Sequence, residues 1–199
     1  FWGFVGVLSL ALFEVVFSNL GFRFGVRPNP ENGLSFEHND LLKGTEFLGE
    51  LIDSALNHQP LNLLYRTFAG NERTTTIHPY HIKQFNGRWF LLGLQEGSSG
   101  NYITNKALDR IVKISRANVP FITNTDIDFN EYFKDVVGVT LPEDHPIPEE
   151  VLLRFEESRF PYVVNKPIHP SQETANEQEH IIRLTVRPNK ELEARIFSY

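Results

Sequence analysis

Between Leu61 and Arg116 the chain reverses too often for anything but a small, strongly curved sheet. Leu61 to Phe68 is a β-type run closed by Gly70-Asn71, and Arg73 to Pro79 follows with Thr74, Thr75, Thr76 and Ile77 supplying β-branched residues. Asn86-Gly87 then separates His81 to Phe85 from Arg88 to Leu94, and this dipeptide is the strongest short hairpin signal because both residues tolerate a positive φ. Pro79 has no N–H to donate and is expected to stop the ladder or hold it to an edge. Gly97 to Gly100 reads as a flexible tip, another strand begins near Tyr102, and Asp109 to Ile114 supplies the last. Five or six short strands in so short a stretch are expected to close into a small barrel of the SH3-like or Sm-like type.

The flanking sequence makes the whole chain α+β, with residues 1–60 as a helical lead-in and connector, 61–117 as the barrel, 118–149 as a linker and 150–199 as a second small α+β domain. Phe1 to Phe17 is apolar apart from Ser9 and Glu14, yet it lacks a basic leader and a small-residue cleavage site and falls short of the roughly 20 residues that span a bilayer. It reads as a buried helix. Gly21 to Gly33 is a Gly-, Pro- and Asn-rich connector. A helix is expected over Asn39 to Asn57, capped by Asn39 or Asp40, with Phe47, Leu48, Leu51, Ile52, Ala55 and Leu56 as its apolar stripe and Glu46, Glu50 and Asp53 on its solvated face. The region 118–149 is rich in Asp, Pro and Asn, with one short helical candidate over 130–137. In 150–199, strands are expected at Val151 to Phe155 and His180 to Val186, a helix or extended turn from Pro161, a polar loop at Ser171 to Glu179, and a helix over Asn189 to Phe197. The sheet of this second domain would need further strands, and with no Met even at position 1 the sequence reads as part of a longer chain.

Charge is distributed unevenly. The 199-residue chain carries 19 Lys and Arg against 25 Asp and Glu, a net −6, yet residues 61–116 hold eight bases against three acids. That local +5 within an acidic protein points to an anionic ligand for this module. Tyr65, Tyr80, Trp89, Phe90 and Tyr102 are interleaved with the bases, which suits a ligand with both a charge and a flat face. The competing explanation is that the bases pair with acids elsewhere in the chain. The overall negative charge argues against the chain coating nucleic acid non-specifically. The lack of Cys excludes disulfides, thiolate metal sites and cysteine nucleophiles within the sequence and fits a cytoplasmic protein.

No catalytic motif is present: there is no nucleophile elbow, phosphate-cradling glycine loop, His-Glu zinc helix or paired-cysteine site. Neither His169 nor His180 has a carboxylate arrangement that would make it a general base, and no cofactor is implied. His78 and His81 are three apart, which in an extended segment puts them on opposite faces and argues against a shared metal. Strand parity sends Trp89, Leu91 and Gly93 one way and Arg88, Phe90 and Leu92 the other. Trp89 with Leu91 is expected to fill the core, leaving Arg88 beside Phe90 on the outward surface.

Three blocks, Ile77-His78-Pro79-Tyr80, Gly87-Arg88-Trp89-Phe90-Leu91-Leu92-Gly93 and Ala107-Leu108-Asp109-Arg110-Ile111, closely resemble the WYL domain in order and spacing, with Trp89-Phe90-Leu91 in place of the Trp-Tyr-Leu tripeptide. Phe36 to Tyr65 is similar to the helical lead-in of such regulators. Leu152 to Phe197 is similar to their C-terminal extension, including Phe160-Pro161-Tyr162 and Lys166-Pro167-Ile168-His169-Pro170.

The resemblance implies an Sm-like barrel that senses a ligand for a bacterial transcriptional regulator, without enzymatic activity. The implied effector is a nucleotide or short single-stranded nucleic acid, and the implied assembly is a homodimer that reaches operator DNA through a helix-turn-helix domain not recognisable in this sequence. The implied ligand-binding residues are Tyr65, Arg73, His78, Tyr80, Arg88, Phe90, Tyr102 and Arg110. Two departures bear on the effector: Phe90 removes a hydroxyl from the tripeptide, and Tyr102 and Thr104 stand where many members carry an Arg ahead of the Leu-Asp-Arg-Ile block. These imply a less highly charged ligand or a member that has lost sensing. Alternative roles are a structural dimerisation module, or an accessory single-strand-binding module of a nucleic-acid enzyme or defence system.

Overall fold

A computed structural model describes residues 43–97 and 100–199. The expectations for Phe1 to Phe17, for the connector and for the Asn39 or Asp40 cap lie outside the described residues, as does the middle of the expected tip, 98–99. A 3-10 turn over Thr45–Phe47 leads into helix α1, Leu48–Leu56, whose buried face presents Leu48 and Leu51. Five antiparallel strands follow: β1 Leu61–Arg66, β2 Glu72–Phe85, β3 Arg88–Gln95, β4 Tyr102–Ala107 and β5 Ile111–Arg116. They are ordered β4-β3-β2-β1-β5, and a 3-10 turn over Leu108–Arg110 joins β4 to β5. Among the described residues no ladder joins those two edge strands, so hydrogen bonding leaves the expected closed barrel as a five-stranded sheet whose edges meet at the turn. Asn86 and Gly87, at φ 48° and 74°, make the predicted hairpin turn.

Pro79 does not end its strand. β2 runs for 14 residues through it, because a bulge between Pro79 and His81 absorbs the missing donor and restarts pairing with β3 at His81–Leu92. The bulge also reverses parity. Arg73, Thr75 and Ile77 face one side before it and Ile82 faces the same side after it, so His78 and His81 share a face instead of opposing each other, as an uninterrupted strand would require.

The inner face packs on α1. Leu51, Leu61, Leu63, Ile77 and Leu91 are completely buried there, each removal of such a side chain from water stabilising the fold by about 1.5–3 kcal/mol, and Trp89 packs at the margin. Trp89 and Leu91 therefore face inward, as parity predicted. The opposite face is covered too, since Leu92 is also buried.

What covers it is the stretch 118–140, which packs closely instead of serving as a bare linker. Phe121 makes edge contact with His78 and Tyr80, Phe129 stacks on His81, Lys83 sits over Phe133, and the Val139 carbonyl accepts from Asn105. Its helix α2 is short, Phe129–Tyr132, and Val137 enters a second core. That core belongs to a three-stranded antiparallel sheet in the order β6-β8-β7: β6 is Glu149–Arg154, β7 Glu173–Asn176 and β8 Ile181–Val186. The sheet packs helices α3, Phe160–Asn165, and α4, Lys190–Ile196. The expected polar loop at 171–179 contains β7, four exposed residues of which Glu173, Thr174 and Asn176 pair along β8. Asn189 caps α4 by accepting from the Leu192 N–H. Its amide also donates to the carbonyls of Val137 and Thr140, and the Glu191 carboxylate accepts from the N–H groups of Val139 and Thr140, so α4 clamps the end of the covering stretch.

Candidate anion-binding site

Cross-strand register places a group of cations at one end of the inner face. Leu61, Leu63 and Tyr65 pair with Ile77, Thr75 and Arg73, and Leu91 pairs with Lys106 on β4. The apolar ends of these rows fill the core, so the polar ends, Tyr65 with Arg73 and Lys106, stand where the packing stops. Arg110 joins them from the 3-10 turn.

The Arg110 guanidinium carbon lies 4.9 Å from the centre of the Tyr65 ring and 3.7 Å from that of Phe68, and its Nε donates to the Arg66 carbonyl at 2.9 Å. Lys106 Nζ lies 5.0 Å from the Tyr65 ring centre, and the Tyr65 hydroxyl accepts from the Ala107 N–H at 3.2 Å. Burial pushes the Tyr65 phenol above its ordinary pKa against the pull of Arg110. Burial also lowers the Lys106 pKa, and the Arg110 charge lowers it further. Two cations that disfavour each other, over a ring that is half-buried, gain from a negative charge placed between them. Among the described residues none of Arg73, Lys106 and Arg110 forms an ion pair with a carboxylate, whereas Arg66 is held by Glu72.

Arg88 is differently placed. One of its terminal nitrogens donates to both oxygens of Asp109, at 2.9 and 2.8 Å, and its guanidinium carbon is 5.4 Å from the Phe90 ring. Its charge is largely neutralised within the fold, which fits the explanation that bases pair with acids at this residue.

The remaining expected ligand residues lie apart from this group. His78 is completely buried: its Nδ1 accepts from the Ile122 N–H at 3.1 Å and its Nε2 lies 3.1 Å from Glu96 Oε1. The Tyr80 hydroxyl donates to the Ile122 carbonyl at 2.7 Å. Both hold the covering stretch against the sheet. The Tyr102 hydroxyl is bonded to the Gln95 amide at the start of β4, four residues and about 13 Å along the strand from Lys106. The structure thus brings Tyr65, Arg73 and Arg110 together, adds Arg88 and Phe90 behind Asp109, and separates His78, Tyr80 and Tyr102.

Sequence reasoning missed Lys106 and Phe68. Parity would have found Lys106, because it pairs with Leu91 and so shares the inward face of the tripeptide. It supplies the cation that Tyr102 and Thr104 do not. Phe68, 90% exposed, sits just past the end of β1, where strand parity no longer says which way a side chain points. Exposed rings beside unpaired cations can hold a planar anion by stacking and charge together. Among the described residues there is no His, Asp and Glu cluster able to hold a metal ion, and no helix long and apolar enough to cross a membrane.

Residues 46–115 match the family model described as WYL domain. Among solved structures the chain is similar to Proteasome accessory factor B/C (PafBC) of Arthrobacter aurescens, with 11% identity, a TM-score of 0.37, and coverage of 83% of this chain and 24% of that one. The chain thus spans about a quarter of that protein's length. No curated protein matches it.

Proposed function

From the match of residues 46–115 to the WYL domain model, we propose that this chain is the ligand-sensing part of a bacterial transcriptional regulator, and that it binds a nucleotide-like or short single-stranded nucleic-acid effector at Tyr65, Phe68, Lys106 and Arg110. It acts by binding and not by catalysis, in the cytoplasm, as a homodimer that reaches operator DNA through a DNA-binding domain. The observation that carries the reading is Arg110, which lies against two rings and has a carbonyl partner but no carboxylate among the described residues. A guanidinium so held presents its remaining N–H groups to an incoming phosphate, and Phe68 offers a flat face to a base.

The test is a fluorescence-anisotropy titration of labelled oligothymidylate, with mono-, di- and cyclic nucleotides as competitors, against wild type and Arg110→Ala. Saturable binding by wild type that weakens at least tenfold in the variant supports the reading. Equal titrations, with equal melting temperatures, reject it.

A further inference from the structure

The turn Leu108–Arg110 is fixed from three sides. Leu108 is buried in the same core as Leu48 and Leu51 of α1. Asp109 is gripped by Arg88, and Arg110 Nε is tied to the Arg66 carbonyl. On the side of the lead-in, Gly44 has φ 92°, and a Cβ built there would overlap the Leu108 carbonyl and the Asp109 nitrogen. Backbone therefore meets backbone with no side chain between, and no residue other than glycine fits without displacing the turn. Lys43 and Thr45, on either side of Gly44, line one small cleft with Arg88, Trp89 and Asp109.

We propose that Gly44 and Asp109 are positioning residues for Arg110: the glycine sets how closely the turn approaches the lead-in, and the Arg88–Asp109 pair sets its rotation, so that Arg110 faces Tyr65 and Phe68. Asp109 and Arg110 are neighbours in a three-residue turn between two strands. A shift at one is carried to the other through the single peptide bond that joins them. The consequence for ligand affinity rests on the reading of the site given above, while the positioning itself does not.

The experiment has a ligand-free arm and a ligand arm. In the free protein, the Arg110 Nε–H resonance, assigned by its loss in Arg110→Ala, is expected to move by more than its line width in Gly44→Ala and in Asp109→Asn. It should stay in place in Gly49→Ala, whose added methyl meets open space. Should Gly44→Ala fail to fold, Asp109→Asn and the control decide. A resonance that stays in place in Asp109→Asn overturns the proposal. In the ligand arm, Asp109→Asn is expected to weaken oligothymidylate binding at least fivefold in the wild-type background and to have no effect on whatever binding remains in Arg110→Ala; an equal effect in both backgrounds shows that Asp109 acts independently of Arg110 and also overturns it. Wild type that binds no oligonucleotide, together with a moved resonance, rejects the ligand and leaves the positioning intact.

Discussion

The guanidinium carbon of Arg110 sits 3.7 Å from the centre of the Phe68 ring, although that ring is 90% exposed. A large apolar ring left in water gains nothing from burial. Its contact with a cation is worth only about 0.5–1 kcal/mol at an exposed site. Phe68→Ala is therefore expected to change unfolding free energy by less than about 1 kcal/mol, whereas loss of a stacking ring weakens a bound base by about 1–3 kcal/mol. A urea melt that hardly moves, paired with oligothymidylate binding reduced about fivefold or more, is the expected result. Unchanged binding would remove Phe68 from the site.

How much of this was legible in the sequence depends on the range of the forces involved. The Asn86-Gly87 turn and the inward set Trp89 and Leu91 follow from local chemistry and strand parity, and the structure contains both. The bulge after Pro79 does not follow, because it is decided by the ladder with β3, where Pro79 meets Gly93 and His81 meets Leu92. Once parity flips there, His78 and His81 turn to the same side, and the Asp- and Pro-rich stretch 118–140 finds aromatic partners on the sheet. Its composition resembles a linker because its contacts are made by single residues, Phe121, Phe129 and Phe133, with no periodic pattern. The clustering of Arg110 with Lys106 was hidden for a similar reason: four residues apart in sequence, they are joined only by a strand end and a turn.

His78 is expected to matter for stability in place of binding. Its ring is completely buried, and removing it strands the Ile122 N–H without an acceptor while opening a cavity. His78→Ala should lose about 3 kcal/mol or more, combining a cavity with an unpaired donor. Tyr80→Phe removes one hydrogen bond to the Ile122 carbonyl and should lose about 1 kcal/mol. Urea denaturation gives both numbers, and amide exchange at 121–123 should accelerate in each variant. Protection unchanged in His78→Ala would show that other contacts hold this stretch.

Acid is expected to loosen the packing around the covering stretch. Burial lowers the pKa of His81, with the Lys83 charge adding to it, and burial likewise lowers that of His169. For a histidine whose folded pKa is below its unfolded value near 6.5, the unfolded chain takes up the proton first. The stabilisation is thus complete above about pH 6.5 and is lost as pH falls towards the folded values. His145, held up by its hydrogen bond to Glu149, works in the opposite direction. The urea midpoint should fall between pH 7.5 and 5, and His169→Gln should flatten that fall. A midpoint that rises on acidification would show that the buried histidines are not what the pH dependence reports.

Salt dependence distinguishes the free cations from the neutralised one. Each phosphate that a single strand gives up to a protein cation releases counterions and contributes about −0.7 to the slope of log K against log salt. If Arg73, Lys106 and Arg110 each take a phosphate, the slope for oligothymidylate is about −2, and Lys106→Ala or Arg73→Ala should reduce its magnitude by about 0.7. Arg88 is already bonded to both oxygens of Asp109 and so releases no counterion when the ligand arrives. Arg88→Ala is therefore expected to weaken binding by disturbing the turn while leaving the slope at its wild-type value. Anisotropy titrations from 50 to 400 mM salt measure all four slopes. A slope lowered equally by Arg88→Ala and Lys106→Ala would show that Arg88 leaves Asp109 to engage the ligand, and would move the site across the turn.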